Sequence, residues 1–175
     1  SILHQMWICK RQKPLTIICP EGIKDKVNYL IDGFGLRQKK GIYDISIVNA
    51  KDIKVGSLNL NFFKTVHTDY SVGIFISDND SRIVYTCDTA PIEDLPKSMY
   101  HPDLLIHETN SLSENRKPDH SGGLEAAALA EKIGAAELLI CHLPADEYVQ
   151  KQILAQTQSV FANASIPAVL EPFAV

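Results

Sequence analysis

The chain has 175 residues, 45% hydrophobic and 22% charged, with nine Gly and nine Pro; this balance supports one domain with a real core and excludes a disordered or fibrous chain. Its formal net charge of -4 and pI near 5.8 argue against a global attraction to nucleic acid or to an anionic membrane. No run of 18 apolar residues and no basic leader followed by an apolar segment occurs, so nothing signals a membrane span or a secretory leader.

The first residues, Ser1 to Ile8, form an amphipathic run without a leading methionine or cap. They read as the middle of a protein, with a complete first helix over residues 1–12 as the alternative. Lys10, Arg11 and Lys13, and later Arg37, Lys39 and Lys40, read as solvated surface, with a phosphate-facing role as the second reading. Residues 14–19 are a β-branched apolar run, Pro20-Glu21-Gly22 a turn, and Ile23, Val27, Leu30, Ile31 and Phe34 repeat at helical spacing until Gly33 and Gly35 end the helix. From Tyr43 to Tyr85 short strands alternate with turn residues, which predicts antiparallel hairpins. After Asp88 the pattern becomes strand (residues 104–107), alanine-rich helix (124–133), strand (138–141), helix (147–161) and a last strand (168–170). The sum is an α/β chain with mixed sheets flanked by helices. No Gly-rich phosphate loop of the Rossmann or P-loop type is present.

Four polar residues directly follow or close predicted strands: His67, Asp88, Glu108 and His142. Taken singly, His67 reads as a turn histidine, Asp88 as a turn cap and His142 as a residue leading into a helix. Together, His67, Asp88 and His142 offer two imidazoles and one carboxylate, a donor set suited to zinc or a similar divalent ion. The set is too small for two ions, and no H-E-x-x-H or H-x-H supplements it. His120, in Asp119-His120-Ser121-Gly122-Gly123 just before a helix, is placed to meet an anionic oxygen and to give a proton to a leaving group, with Ser121 as the expected cap; an exposed loop histidine is the plainer alternative. Cys9, Cys19, Cys87 and Cys141 are irregularly spaced without a C-x-x-C pair, which favours a reducing, cytoplasmic setting and gives no thiolate zinc site.

The ordered series Tyr85-Thr86-Cys87-Asp88-Thr89, Asp103-Leu104-Leu105-Ile106-His107-Glu108-Thr109, His120-Ser121, Glu125-Ala126-Ala127-Ala128 and Leu138-Leu139-Ile140-Cys141-His142 resembles the carboxy-terminal two thirds of a metallo-β-lactamase-fold hydrolase of the ribonuclease Z-like branch. Lys13-Pro14-Leu15-Thr16 and Val66-His67 stand in the same order upstream. The resemblance implies a partial αββα sandwich and a single domain over residues 1–175. It also implies a centre of two zinc ions that binds through His67, Asp88 (bridging) and His142, with catalytic roles for His120 and Glu108. The family's His-x-His-x-Asp-His segment is absent, so the chain is expected to lack about its first 60 residues, through truncation, cleavage, disorder or delivery by a complementing chain; a homodimer is a separate expectation. Cys87 stands where that family carries glycine. Hydrolysis of a small-molecule phosphodiester or ester is the expected activity. A non-catalytic structural or binding subunit is one alternative, and transfer RNA 3′-processing another. The second is disfavoured because only 20 residues separate His67 from Asp88, too few for the long arm with which family members clamp transfer RNA. Partners are therefore the small substrate and the completing segment, with no membrane and no favoured nucleic acid.

Overall fold

A computed structural model describes residues 2–168 and Pro172. The chain forms two compact units, residues 1–51 and 52–175. The strand expected over 168–170 falls outside the described residues except for Ala168, which is irregular.

The first unit contains α1 (Ile2–Ile8), β1 (Leu15–Cys19), α2 (Lys24–Gly33) and β2 (Ile45–Asn49). β1 and β2 pair in parallel, Leu15 opposite Ile45 through Cys19 opposite Asn49. Parallel neighbours require a crossover, and α2 supplies it. Cys19, Ile31, Leu36 and Ile47 form the core, joined by Leu3, Ile17, Val27 and Ile45. The helical period of α2 is as expected, but its buried stripe is narrower: Val27 and Ile31 face inward while Leu30 and Phe34 are exposed. Chain reversal at Phe34 explains this, because its amide bonds the Leu30 carbonyl as the helix closes and Gly35 turns at φ +60°. Leu36, two residues later, fills the core instead.

The second unit is built on a seven-stranded mixed sheet in the order β3-β4-β5-β6-β7-β8-β9. Its strands are β3 (Ile53–Val55), β4 (Leu58–Lys64), β5 (Val72–Ser77), β6 (Arg82–Tyr85), β7 (Leu104–Glu108), β8 (Glu137–Cys141) and β9 (Ala164–Ser165). β3 and β4 are separated by the turn at Gly56, as its place among the expected turn residues implies, and its φ of +63° suits glycine. β4 and β5 are joined by a self-contained turn in which the Thr68 N–H donates to Ser71 Oγ at 3.1 Å and the Ser71 N–H donates to the Thr68 carbonyl at 3.2 Å. Helices α3 (Gly123–Ile133) and α4 (Glu147–Gln158) cover one face. The side chains they meet alternate along the strands: Phe63, Phe75, Val84, Leu105, Leu138, Ile140 and Ala164 join Ala126, Leu129, Ile133 and Ile153 in one core.

Gly123 sets the approach of α3 to α4. A Cβ at this position would lie 2.7 Å from Thr157 Oγ1 and 3.0 Å from the Ile153 carbonyl oxygen, and the latter is backbone that cannot rotate away. Gly123→Ala is expected to destabilise the unit by about 2 kcal/mol through overpacking, seen as a lower urea midpoint at unchanged m-value. No helix among the described residues is long and apolar enough to cross a membrane.

Candidate metal centre

Strand direction brings the candidate residues together. β4 is antiparallel to β5, β5 is antiparallel to β6, and β6, β7 and β8 are mutually parallel. β4, β6, β7 and β8 therefore end at the same rim of the sheet, and His67, Asp88, Glu108 and His142 stand just past or at those ends. Carboxyl ends of parallel strands are where loop side chains can converge without disturbing the ladder.

The intervening loops are bonded to one another along that rim. Thr65 Oγ1 donates to the Asp88 carbonyl at 3.3 Å, the Val66 N–H to Thr89 Oγ1 at 3.1 Å, and the Ala90 N–H to the Val66 carbonyl at 2.7 Å. Ser121 Oγ donates to the Thr89 carbonyl at 2.9 Å, so this buried hydroxyl does not cap α3 as expected. Glu125 and Ser113 do so instead: the Gly122 N–H donates to Glu125 Oε2 at 3.1 Å and the Leu124 N–H to Ser113 Oγ at 2.9 Å. The loop that carries His120 is thereby tied both to the β6 loop and to the helix. Two residues at this rim, Cys87 and His142, adopt left-handed backbone conformations with φ of +54° and +57°, each at a cost of roughly 1 kcal/mol for a side chain with Cβ.

His120 lies between the other two imidazoles. Its ring centroid is 4.9 Å from that of His67 and 5.2 Å from that of His142, the latter pair stacked at 12°. His67 Nδ1 is 3.0 Å from the Asp119 carbonyl oxygen, an acceptor, so Nδ1 carries the proton and Nε2 keeps its lone pair. His142 Nε2 stands 3.7 Å from Asp88 Oδ2, and the Asn110 side-chain amide lies 3.1 Å from Nδ1 of the same ring. The fully buried Glu108 carboxylate places Oε1 at 2.8 Å from both the Thr89 N–H and His120 Nδ1. A carboxylate oxygen carries no hydrogen and only accepts, so His120 donates from Nδ1. Glu108 Oε2 is buried with no hydrogen-bond partner among the described residues.

Two groups have donor atoms within 4.8 Å of one another: His67, Asp119 and His120, and Glu108, His120 and His142. The sequence-predicted residues are thus brought to one place, with His120 common to both groups. Asp88 touches this cluster through His142 alone. Asp119 and Asn110 were not singled out in the sequence; both flank residues that were, Asp119 beside His120 and Asn110 two places after Glu108, and neither carries a pattern of its own. Cysteine ligation is disfavoured by the setting of the thiols. Burial pushes Cys141 up to about 11, with the Glu108 and Asp88 charges adding to it, and burial raises Cys87 as well.

His107 packs away from this rim. It is fully buried, its Nδ1 donates to the Glu108 carbonyl at 2.6 Å, and its Nε2 has no partner among the described residues. Desolvation holds it down to about 4, so the ring is neutral in the folded protein. A depressed folded pKa means the unfolded chain takes up the proton first. The contribution is complete above about pH 6.5 and falls away between there and pH 4, by about 3 kcal/mol in all. Unfolding free energies measured across that window should fall less steeply in His107→Gln than in the parent.

Comparison with known proteins bears on the whole chain. A family model described as the beta-lactamase superfamily domain matches residues 3–143. The probable metallo-hydrolase YhfI of Bacillus subtilis is 32% identical over 94 residues, covering 53% of this chain and 38% of that protein. The ribonuclease Z of Sulfolobus acidocaldarius is 29% identical over 154 residues, covering 86% of this chain and 50% of that protein. The chain thus spans half or less of the length of these two curated relatives. Among solved structures, the metallo-β-lactamase-fold protein YhfI of Bacillus subtilis superposes with a TM-score of 0.70 at 24% identity, covering 88% of this chain and 62% of that one. The family match over most of the chain, on a fold shared with YhfI, shows that this protein belongs to the beta-lactamase superfamily and has the metallo-β-lactamase fold.

Proposed function

We propose that the chain contributes His67, Asp88 and His142 to a divalent-metal centre, with zinc as the ion, in a hydrolase that cleaves a phosphodiester or ester bond, and that Glu108 and His120 act beside that centre. The observation that carries the reading is the Glu108–His120 pair at 2.8 Å, set against two further imidazoles at one strand rim. The donors fit the ion: imidazole nitrogens and carboxylate oxygens are the set a zinc hydrolase uses, and the unpartnered Glu108 Oε2 marks a place where positive charge is favoured. Bound there, the ion supplies a Lewis acid for the bond under attack and for the water that attacks it.

The protein's own residues have separate tasks. The Asp119 carbonyl fixes the His67 ring, and the Thr89 N–H fixes the Glu108 carboxylate. Glu108 holds the His120 ring through Nδ1, which leaves Nε2 as the nitrogen through which a proton passes to the departing oxygen. The remaining ligands come, in this proposal, from residues outside the 175, on the same protein or on a complementing chain. All four cysteines are free, in keeping with a cytoplasmic setting. The names of the relatives, a metallo-hydrolase and a ribonuclease, support hydrolysis and a phosphodiester. Transfer RNA processing is less well supported, because the turn after His67, β5, the Asp78–Ser81 turn and β6 occupy the whole interval to Asp88.

Metal analysis combined with a panel of phosphodiester, phosphonate, lactone and thioester substrates tests the reading. His67→Ala and His142→Ala are expected to lower zinc content and turnover together. Full zinc content and turnover in both variants would remove the centre, and zinc binding without turnover on any substrate class would favour a binding subunit.

A further inference from the structure

The net charge of -4 conceals a division. Residues 1–51 carry nine Lys or Arg against four Asp or Glu, while residues 52–175 carry eight against seventeen. The first unit is therefore basic in an acidic chain, and its basic residues are not spread evenly over its surface. Lys10 and Lys40, thirty residues apart in sequence, line one groove of about 450 Å³ together with Trp7, Ile8, Gln12 and Gly41. This is the size range of small-molecule sites.

Trp7 is fixed in that groove. Its indole N–H donates to the Lys40 carbonyl at 3.1 Å, and the Lys39 ammonium stands 5.3 Å from the ring centroid. Ile8, 61% exposed, adds an apolar surface next to it. Arg11 is held rigidly, donating to the Lys13 and Pro14 carbonyls while its guanidinium lies over Tyr43 at 5.6 Å. Among the described residues Lys10, Lys39 and Lys40 form no ion pair, whereas Arg37 is engaged by Asp32 at 2.6 Å. None of the four carboxylates of the unit lines the groove. A run of surface lysines is ordinarily solvated and needs no ligand. Here Lys10 and Lys40 share a concavity with an aromatic ring whose orientation is set, and Lys39 stands over one face of that ring.

We propose that this groove is a binding site for a phosphate-bearing nucleobase, with the base stacking on Trp7 and the phosphate meeting Lys10 and Lys40. A free nucleotide and a nucleotide within a single strand share this chemistry. Stacking is sequence-tolerant because every base has a π face, and lysine contacts to phosphate give affinity that falls with salt. The site consists wholly of residues 1–51 and is independent of the metal-centre reading.

Trp7 is the only tryptophan in the chain, so its fluorescence reports on this groove directly. The 175-residue chain is titrated with AMP, with a short oligoadenylate and with inorganic phosphate, and the same titrations are run on Lys10→Glu/Lys40→Glu, whose changes are both at exposed positions. AMP and oligoadenylate should quench Trp7, and the double variant should bind about tenfold or more weakly, with a smaller salt slope. Oligoadenylate binding much more tightly than AMP assigns the site to a strand, and equal affinities assign it to a free nucleotide. Three results would overturn the proposal: no quenching by either ligand up to about 1 mM, unchanged affinity in the double variant, or inorganic phosphate competing as well as AMP. Loss of zinc or of hydrolysis in His67→Ala leaves all of these readings untouched, so the two proposals fail separately.

Discussion

Asp88→Ala in the intact protein is expected to lower kcat/KM by about 10³-fold, the loss of roughly 4 kcal/mol of transition-state stabilisation, while the unfolding midpoint stays near that of the parent. The two halves of that expectation come from different parts of the residue. The Asp88 backbone carbonyl, which survives the substitution, accepts from Thr65 Oγ1 and so keeps the β4 and β6 loops together. The side chain is 41% exposed and stands 3.7 Å from His142 Nε2, a pairing of the kind worth about 0–1 kcal/mol to folding. In the proposed centre its value is to the ion. Zinc content and kcat/KM equal to those of the parent would exclude Asp88 from the centre, and a collapse in stability would show that the carboxylate is structural.

Glu108 should behave in the opposite proportion. Its carboxylate is fully buried and serves two donors through Oε1. Glu108→Ala leaves the Thr89 N–H without an acceptor and the His120 ring without a hold, at a cost of about 2–4 kcal/mol in folding. Glu108→Gln separates the roles. The amide oxygen still accepts from Thr89, so most of the stability should return, but the negative charge beside His120 Nδ1 does not. Turnover in Glu108→Gln should remain down by about 10²-fold, the size of a general-acid contribution. If Glu108 works through His120, then Glu108→Gln/His120→Ala should be no slower than His120→Ala alone. Additive losses would give Glu108 a separate task.

The candidate site was legible because its residues follow strands whose apolar runs are plain in the sequence. Leu104-Leu105-Ile106 and Leu138-Leu139-Ile140 announce β7 and β8, and Glu108 and His142, two residues past each run, stand at or just beyond the strand ends. What the one-dimensional pattern could not carry was the partnership of Glu108 with His120, since eleven residues, the 3-10 turn at Ser113–Asn115 among them, lie between the two. Nor could it locate the cap of α3. Ser121 has the residue type and position of a cap, yet tertiary bonding to Thr89 claims its hydroxyl. Leu30 and Phe34 show the same limit from the apolar side: helical spacing identified the helix, and the reversal at Phe34 decided which of its apolar residues are covered. The glycine that the family pattern carries at the position of Cys87 acquires its reason from the backbone, because φ there is +54°, a conformation that glycine adopts freely and a side chain with Cβ does not.

The turn between β4 and β5 has a bearing on redesign. Thr68 and Ser71 close it with their own hydrogen bonds, directly after His67. Asp69 and Tyr70 at its tip offer an insertion point next to the site, since lengthening a loop costs only about 0.6 kcal/mol per doubling. A graft of several residues at that tip would raise a wall over His67 while leaving β4, β5 and the loop bonds to Asp88 and Thr89 in place. Substrate size could then be tuned without altering a single residue of the centre.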